Sequence, residues 1–386
     1  MQKPHPVSPS RTLLGGLTAD AFLRRHWQRR PLLVRGAIPG FAGFLDRASL
    51  LSLATRDDVQ SRLVLREGRR WSLEHGPFTR SRLRRLPARN WSVLVQGVDR
   101  ILPDAAALLA RFAFVPWARL DDLMVSLAPP GGGVGPHFDS YDVFLLQGPG
   151  RRRWQTSAAT DPQLVAGAPL KLLRRFTAEE TAVLDPGDML YLPPRHAHEG
   201  VALTDCITYS IGFRAPGAQE LASRFLEFLA ERVERVGVYA DPGLRPARHP
   251  GAIDAAMVAR VDRLIGRIDW RRADIARFLG KHLTEPAPEV VFTPPRPALS
   301  ARAFGIAART QGVVTALATR LLYAGGNLFI NGEALEPATD AMRVLRGLAD
   351  RRRIAPAVLQ RAAPDTIDLL HEWYRSGYIA VDTACR

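Results

Sequence analysis

The apolar positions of this chain change their spacing twice. Thr18-Ala19-Asp20-Ala21-Phe22-Leu23 predicts a short helix with a Thr cap, and Pro31 to Arg35 a short strand. From residue 57 to Arg214 short apolar runs alternate with Gly/Pro turns. Ser61-Arg62-Leu63-Val64-Leu65, Trp91 to Gln96 and Asp121 to Ala128 are the clearest strands, with a helix over 105–112 and His75 placed in a turn. Many short strands framed by such turns predict a sandwich or barrel.

After Pro216-Gly217 the period becomes helical. Leu221, Phe225, Phe228, Leu229, Val233 and Val236 recur at three- and four-residue steps, as do Met257, Val258, Val261, Leu264, Ile265 and Ile268, then Ile275, Phe278, Leu279 and Leu283. A Pro-rich linker, Glu285 to Pro297, closes that region. Beyond it, Asn327 to Leu335 predicts a hairpin turning at Asn331-Gly332, followed by helices at about 338–350 and 364–375 and a strand at Tyr378 to Val381. The expected domains are 1–214, 215–284 and 285–386.

Composition narrows the class. With 386 residues, 46% hydrophobic and 24% charged, the chain has the make-up of a soluble protein of two or three domains. No apolar run reaches membrane-span length, and Met1 to Ser10 reads as a loose tail without the apolar core of a signal peptide. Cys206 and Cys385 alone cannot form a disulfide framework, which points to a reducing cytoplasm. The net charge of +15 favours acidic partners such as RNA, but Lys occurs only three times, so the excess also reflects an Arg-rich composition.

The candidate chemistry follows a Gly-rich run, Gly131-Gly132-Gly133-Val134-Gly135-Pro136, where His137 and Asp139 stand two residues apart. In a strand they share a face. His196 or His198, in Pro193-Pro194-Arg195-His196-Ala197-His198-Glu199-Gly200, supplies a third ligand; strand alternation cannot separate the two. Two His and a carboxylate form the facial triad of non-haem iron oxygenases, with open positions on the metal. Arg151-Arg152-Arg153-Trp154 puts guanidinium groups on the strand after the His-x-Asp segment. His26 has no partner at metal-ligand spacing and reads as structural.

These strings resemble the JmjC-type ribosomal oxygenases. The resemblance rests on Asp121-Asp122-Leu123-Met124, Gly132 to His137, Tyr141-Asp142-Val143-Phe144, Gly150 to Trp154, His198-Glu199-Gly200 and Tyr209 to Pro216, with further matches at Arg25 to Pro31, His75 to Phe78, Asn331-Gly332-Glu333 and Ser376-Gly377-Tyr378. It implies a mainly β protein with α: a double-stranded β-helix (JmjC/cupin) core, a helical dimerisation region and a C-terminal winged-helix-like domain. It further implies Fe(II) held by His137, Asp139 and His198, with 2-oxoglutarate and O2 as cosubstrates. Arg152 would bind the far carboxylate of 2-oxoglutarate, and Thr208, where a family relative carries Asn, would add a hydroxyl to that pocket. Tyr141 and Met124 would sandwich a substrate guanidinium whose head bonds Asp122 and Ser210.

The implied reaction is β-carbon hydroxylation of an arginine in a large-subunit ribosomal protein by a cytoplasmic homodimer. The alternatives are a histidyl residue as substrate, or a non-catalytic cupin/winged-helix regulator. Acidic residues on the 364–375 helix argue against direct DNA binding, because phosphates repel them.

Overall fold

The computed structural model describes residues 12–383 except 159, 160, 235, 247, 249 and 267; the N-terminal tail and Cys385 lie outside the described residues. The first helix, α1 (Ala19–Arg25), starts where the Thr cap predicts, with the Ala21 N–H donating to Thr18 Oγ1 at 3.1 Å. Then follow β1 (Leu32–Val34), α2 (Arg47–Leu53), β2 (Ser61–Glu67), β3 (Arg70–His75), α3 (Arg80–Arg84), β4 (Trp91–Val95), α4 (Pro103–Ala110) and β5 (Leu120–Ala128). The core closes with β6 (Val143–Gln147), β7 (Arg152–Ser157), β8 (Glu180–Leu184), β9 (Met189–Leu192), β10 (Ala197–Ala202) and β11 (Cys206–Phe213). His75 ends a strand rather than sitting in a turn. His26 is structural, its Nδ1 3.0 Å from the Pro31 carbonyl.

The larger sheet has the order β1-β9-β6-β11-β5-β4-β2-β3 and the smaller β10-β7-β8. Strand alternation sorts their side chains. In β6, Phe144 and Leu146 join the large cluster that includes Phe22, Trp91 and Phe213, while Val143 and Leu145 turn the other way to meet Trp154 and Leu184 of the smaller sheet. Both faces of β6 are thus covered, so it reads as an unbroken apolar run. In β5 and β11 the odd positions, Leu123, Val125, Leu127, Tyr209 and Ile211, pack in the large cluster. The even positions Asp122, Met124, Ser126 and Ser210 face the space between the sheets. One alternating pattern therefore builds the core and points polar groups at a common cavity.

Three helices follow: α5 (Ala218–Ala230), α6 (Ala255–Ile265) and α7 (Arg272–Thr284). The expected continuation of α5 through Val233 and Val236 is not made; the helix stops at Ala230 and Val236 is fully exposed. Phe228 and Leu229 pack on Phe278 of α7. No residue of α6 is fully buried, and of its apolar stripe Val261 and Leu264 are half-buried.

The C-terminal unit runs α8 (Ala301–Gln311), β12 (Val313–Thr315), β13 (Leu321–Ala324), β14 (Asn327–Ile330), β15 (Glu333–Leu335), α9 (Thr339–Arg351), β16 (Arg353–Ile354), α10 (Pro356–Leu359), α11 (Pro364–Arg375) and β17 (Ile379–Val381). The hairpin turns at Asn331-Gly332 with φ of 49° and 87°, the pair of positive values that an Asn-Gly turn adopts readily. Helix α7 also packs here: a Cβ at Gly280 would lie 2.3 Å from the Phe329 ring, and Thr284 Oγ1 accepts from the Gly332 N–H at 3.0 Å.

Asp121 is one of the points where the units join. Its carboxylate takes Arg214 Nε at 3.2 Å and its carbonyl takes Arg320 Nη2 at 2.9 Å, while Arg214 Nη1 donates to Leu283 O at 2.7 Å.

Candidate metal and cosubstrate site

His137 and His198 face each other across an antiparallel bridge. The His137 N–H donates to His198 O at 3.0 Å and the His198 N–H returns to His137 O at 2.8 Å. Residues paired in this way project to the same side, and the two rings stand 4.2 Å apart between centroids. The strand expected to carry His137 and Asp139 is reduced to this single bridge. Asp139 is held instead through its carbonyl, which accepts from the Arg195 N–H at 2.7 Å.

Each imidazole is oriented by a carbonyl two residues earlier. His137 Nδ1 lies 2.9 Å from Gly135 O, and His198 Nδ1 lies 2.9 Å from His196 O. A carbonyl only accepts, so each Nδ1 carries the proton and each Nε2 keeps its lone pair for a metal. Asp139 Oδ2 sits 4.0 Å from His137 Nε2 and 3.7 Å from His198 Nε2. Ligand atoms of the three residues all fall within 4.8 Å of one another. His198 is buried, and burial followed by the neighbouring His137 holds its pKa well below the ordinary imidazole range. Two imidazoles and one carboxylate suit a divalent iron.

The geometry separates the rival histidines. Arg195 adopts φ of 62°, and β10 begins only at Ala197. His196 therefore precedes the strand and escapes its alternation. His198 joins His137 and Asp139; His196 contributes its carbonyl to His198 instead. The Gly run permits the approach: a Cβ on Gly133 would lie 2.4 Å from Gly200 O, and one on Gly132 would lie 2.1 Å from Trp91 O.

The three residues open onto a cavity of about 500 Å³ between the sheets. Arg152 enters it from β7 and is buried, while Arg151 and Arg153 are exposed, as alternation predicts. Arg152 Nη1 donates to Thr208 Oγ1 at 3.1 Å and to Ser126 Oγ at 3.4 Å; its Nε has no partner. No carboxylate among the described residues pairs with it, and burial lowers its pKa. A buried cation without a counter-charge is costly, so the site is suited to an anion. Thr208 does not line the cavity. Its hydroxyl stands behind Arg152 and donates to Gln147 Oε1 at 3.3 Å, so it braces the guanidinium. Ser126 was not singled out in the sequence, although it continues the Asp122, Met124 step of two.

Asp122, Met124, Tyr141 and Ser210 line the same cavity. Met124 and Ser210 are cross-strand partners. Asp122 Oδ2 accepts from the Gly97 N–H at 2.8 Å, and burial, then Asp121 and Asp99, push its carboxyl up to about 7.

A double-stranded β-helix that sets two histidines and a carboxylate against a buried, unpaired arginine defines an iron- and 2-oxoglutarate-dependent oxygenase. The JmjC domain profile matches residues 107–221, and the ROXA-like winged helix profile matches 267–380, a span that takes in α7. Over 330 residues the chain is 36% identical to the ribosomal protein uL16 3-hydroxylase of Escherichia coli K12, covering 83% of this chain and 87% of that one. Over 210 residues it is 40% identical to a probable ribosomal oxygenase of Haemophilus influenzae, covering 53% of this chain and 52% of the relative. The X-ray structure of E. coli YcfD superposes with a TM-score of 0.81 at 33% identity, covering 94% of this chain and 98% of that one. YcfD in complex with cobalt and 2-oxoglutarate gives 0.77 at 33% identity, with the same coverage. The chain belongs to the JmjC ribosomal oxygenases.

Proposed function

We propose that the chain hydroxylates the β-carbon of an arginine in the large-subunit ribosomal protein uL16, releasing succinate and CO2. The observation that carries this reading is the His137–Asp139–His198 group sharing one cavity with Arg152. When bound, iron(II) and 2-oxoglutarate supply the oxygen activation. His137, Asp139 and His198 would hold the metal from one side. Arg152, braced by Thr208 and Ser126, would hold the far carboxylate of the cosubstrate. Tyr141 and Met124 would enclose the guanidinium stem, and Asp122 and Ser210 would bond its head, which fixes the target carbon beside the metal. A histidyl substrate is the second reading; the buried Asp122 carboxylate favours a cation over neutral imidazole. The test is a gain of one oxygen mass on uL16 that requires both iron(II) and 2-oxoglutarate.

Asp122 gives this reading a pH signature. Near pH 6 a carboxyl with a pKa of about 7 is mostly protonated and cannot pair with guanidinium; near pH 8 it is mostly ionised. The KM for a uL16 peptide is therefore expected to fall, by up to about tenfold, as pH rises through that window. Asp122→Asn should flatten the dependence and leave KM high throughout; a profile unchanged by Asp122→Asn would remove the residue from substrate binding.

The units proposed are the oxygenase core at 1–214, a helical dimerisation segment at 215–284 and a winged-helix-like unit at 285–386, with α7 packed on both of the latter. The exposed side of α6, with Met257 and Val258, supports a homodimer. Sedimentation should give twice the mass of one chain, and Val258→Asp should shift it toward the monomer. The enzyme is placed in the cytoplasm with its substrate, and no described helix is long and apolar enough to cross a membrane. The acidic character of α11 supports a structural rather than DNA-reading role for the C-terminal unit.

A further inference from the structure

Six buried side-chain nitrogen or oxygen atoms among the described residues lack a hydrogen-bond partner, and four belong to residues lining the oxygenase cavity: Arg62, Ser92, Arg152 and Trp154. Buried polar atoms are nearly always satisfied, so such a concentration marks places that ligands complete. Arg152 and Trp154 stand on the smaller sheet, where 2-oxoglutarate is expected. Arg62 and Ser92 stand on β2 and β4 of the larger sheet. Val64 pairs with Ser92 and Arg62 with Leu94, so the two polar residues are diagonal neighbours on one face.

Arg62 is half-buried, but it shares with Arg152 an Nε that is buried without an acceptor. No carboxylate among the described residues forms an ion pair with it, and its Nη2 donates to the thioether of Met124 at 3.8 Å. The cosubstrate cannot satisfy both arginines, because one of its two carboxylates goes to the metal and the other to Arg152. The target side chain is a cation and offers Arg62 nothing. What remains is the polypeptide that carries it, whose main chain presents carbonyl oxygens on either side of the target.

Resting on the arginine-hydroxylase reading, we propose that Arg62 is a substrate-binding residue whose guanidinium donates to a main-chain carbonyl oxygen beside the target arginine. Its position against Met124 puts that contact next to the sandwich that encloses the target side chain. It therefore sets how far the side chain reaches toward the metal. Specificity for an arginine within a polypeptide, over the free amino acid, follows from this second hold.

The test uses the full-length protein, a synthetic uL16 peptide spanning the target, and the variants Arg62→Met and Arg62→Lys. Arg62→Met is expected to raise the KM for peptide about tenfold or more, as loss of a charge-assisted hydrogen bond does. The melting temperature, and its rise on adding manganese(II) and 2-oxoglutarate, should match wild type, which separates lost peptide binding from a damaged fold, and Arg62→Lys should recover part of the loss. Thioamide replacement of the carbonyl of the target arginine or of the residue before it weakens the acceptor. One of the two should impair wild-type enzyme but not further impair Arg62→Met. A wild-type KM in Arg62→Met overturns the clamp, as does a penalty that disappears when an acidic side chain of the peptide is changed to its amide. A wild-type enzyme inert toward the peptide overturns the hydroxylase reading itself, and the clamp with it.

Discussion

His137→Ala protein is expected to add no oxygen to uL16 while remaining folded. The two hydrogen bonds that pair residue 137 with His198 run through the backbone, and alanine keeps both. The imidazole goes, and with it the Nε2 ligand and the Nδ1 contact to Gly135 O. Two donors, His198 and Asp139, cannot hold the facial arrangement. Even changes behind a metal ligand weaken metal binding by about 10- to 100-fold, and loss of a ligand should exceed that. Calorimetric titration with manganese(II), which does not turn over, should show the collapse in affinity, and mass spectrometry of uL16 should show none of the mass gain. Thermal unfolding of the metal-free variant should match metal-free wild type. Wild-type hydroxylation by this variant would falsify the assignment of the site.

Arg152→Met should raise the KM for 2-oxoglutarate by roughly two orders of magnitude or more. The side chain offers two charge-assisted hydrogen bonds to one carboxylate, each worth about 1.5–3 kcal/mol. Arg152→Lys keeps the charge but not the planar fork, and should fall between the two. The variant also has a signature independent of turnover. In the ligand-free protein Arg152 is a buried cation with no counter-charge among the described residues, its partners there being the Thr208 and Ser126 hydroxyls and the face of Trp154. A methionine of similar length removes that burden, so ligand-free Arg152→Met should melt at or above the wild-type temperature. Added 2-oxoglutarate should stabilise the wild type and leave the variant unmoved. A variant that both binds 2-oxoglutarate normally and melts lower would show the arginine to be a packing element.

The same alternation that a reader can take from Asp121 to Ala128 is what the fold uses. Asp122 and Met124 turn inward and Leu123 and Val125 turn to the core, so this wall of the site was legible. Strand alternation alone did not separate His196 from His198, and the family resemblance made that choice, because the difference depends on Arg195 taking a left-handed conformation that delays the strand. The role of Thr208 was half legible. Its face was clear, but whether it touches ligand or arginine depends on the depth of Arg152, a tertiary property. Helices α2 and α3, seven and five residues long, carry too few turns for a period to emerge. The double allegiance of α7 was hidden for a different reason. Its contact with Phe329 is made by Gly280, a residue that adds nothing to a hydrophobic pattern.

Asp121 carries a consequence beyond its own contacts. It neighbours Asp122 on the same strand and is gripped by Arg320 from the winged-helix-like unit and by Arg214, which also holds the end of α7. The accessory unit thereby acts as a buttress for the mouth of the catalytic chamber. A chain trimmed at its Pro-rich linker would not be the same catalyst made smaller. It would be one whose cavity-lining strand β5 had lost its contact with Arg320.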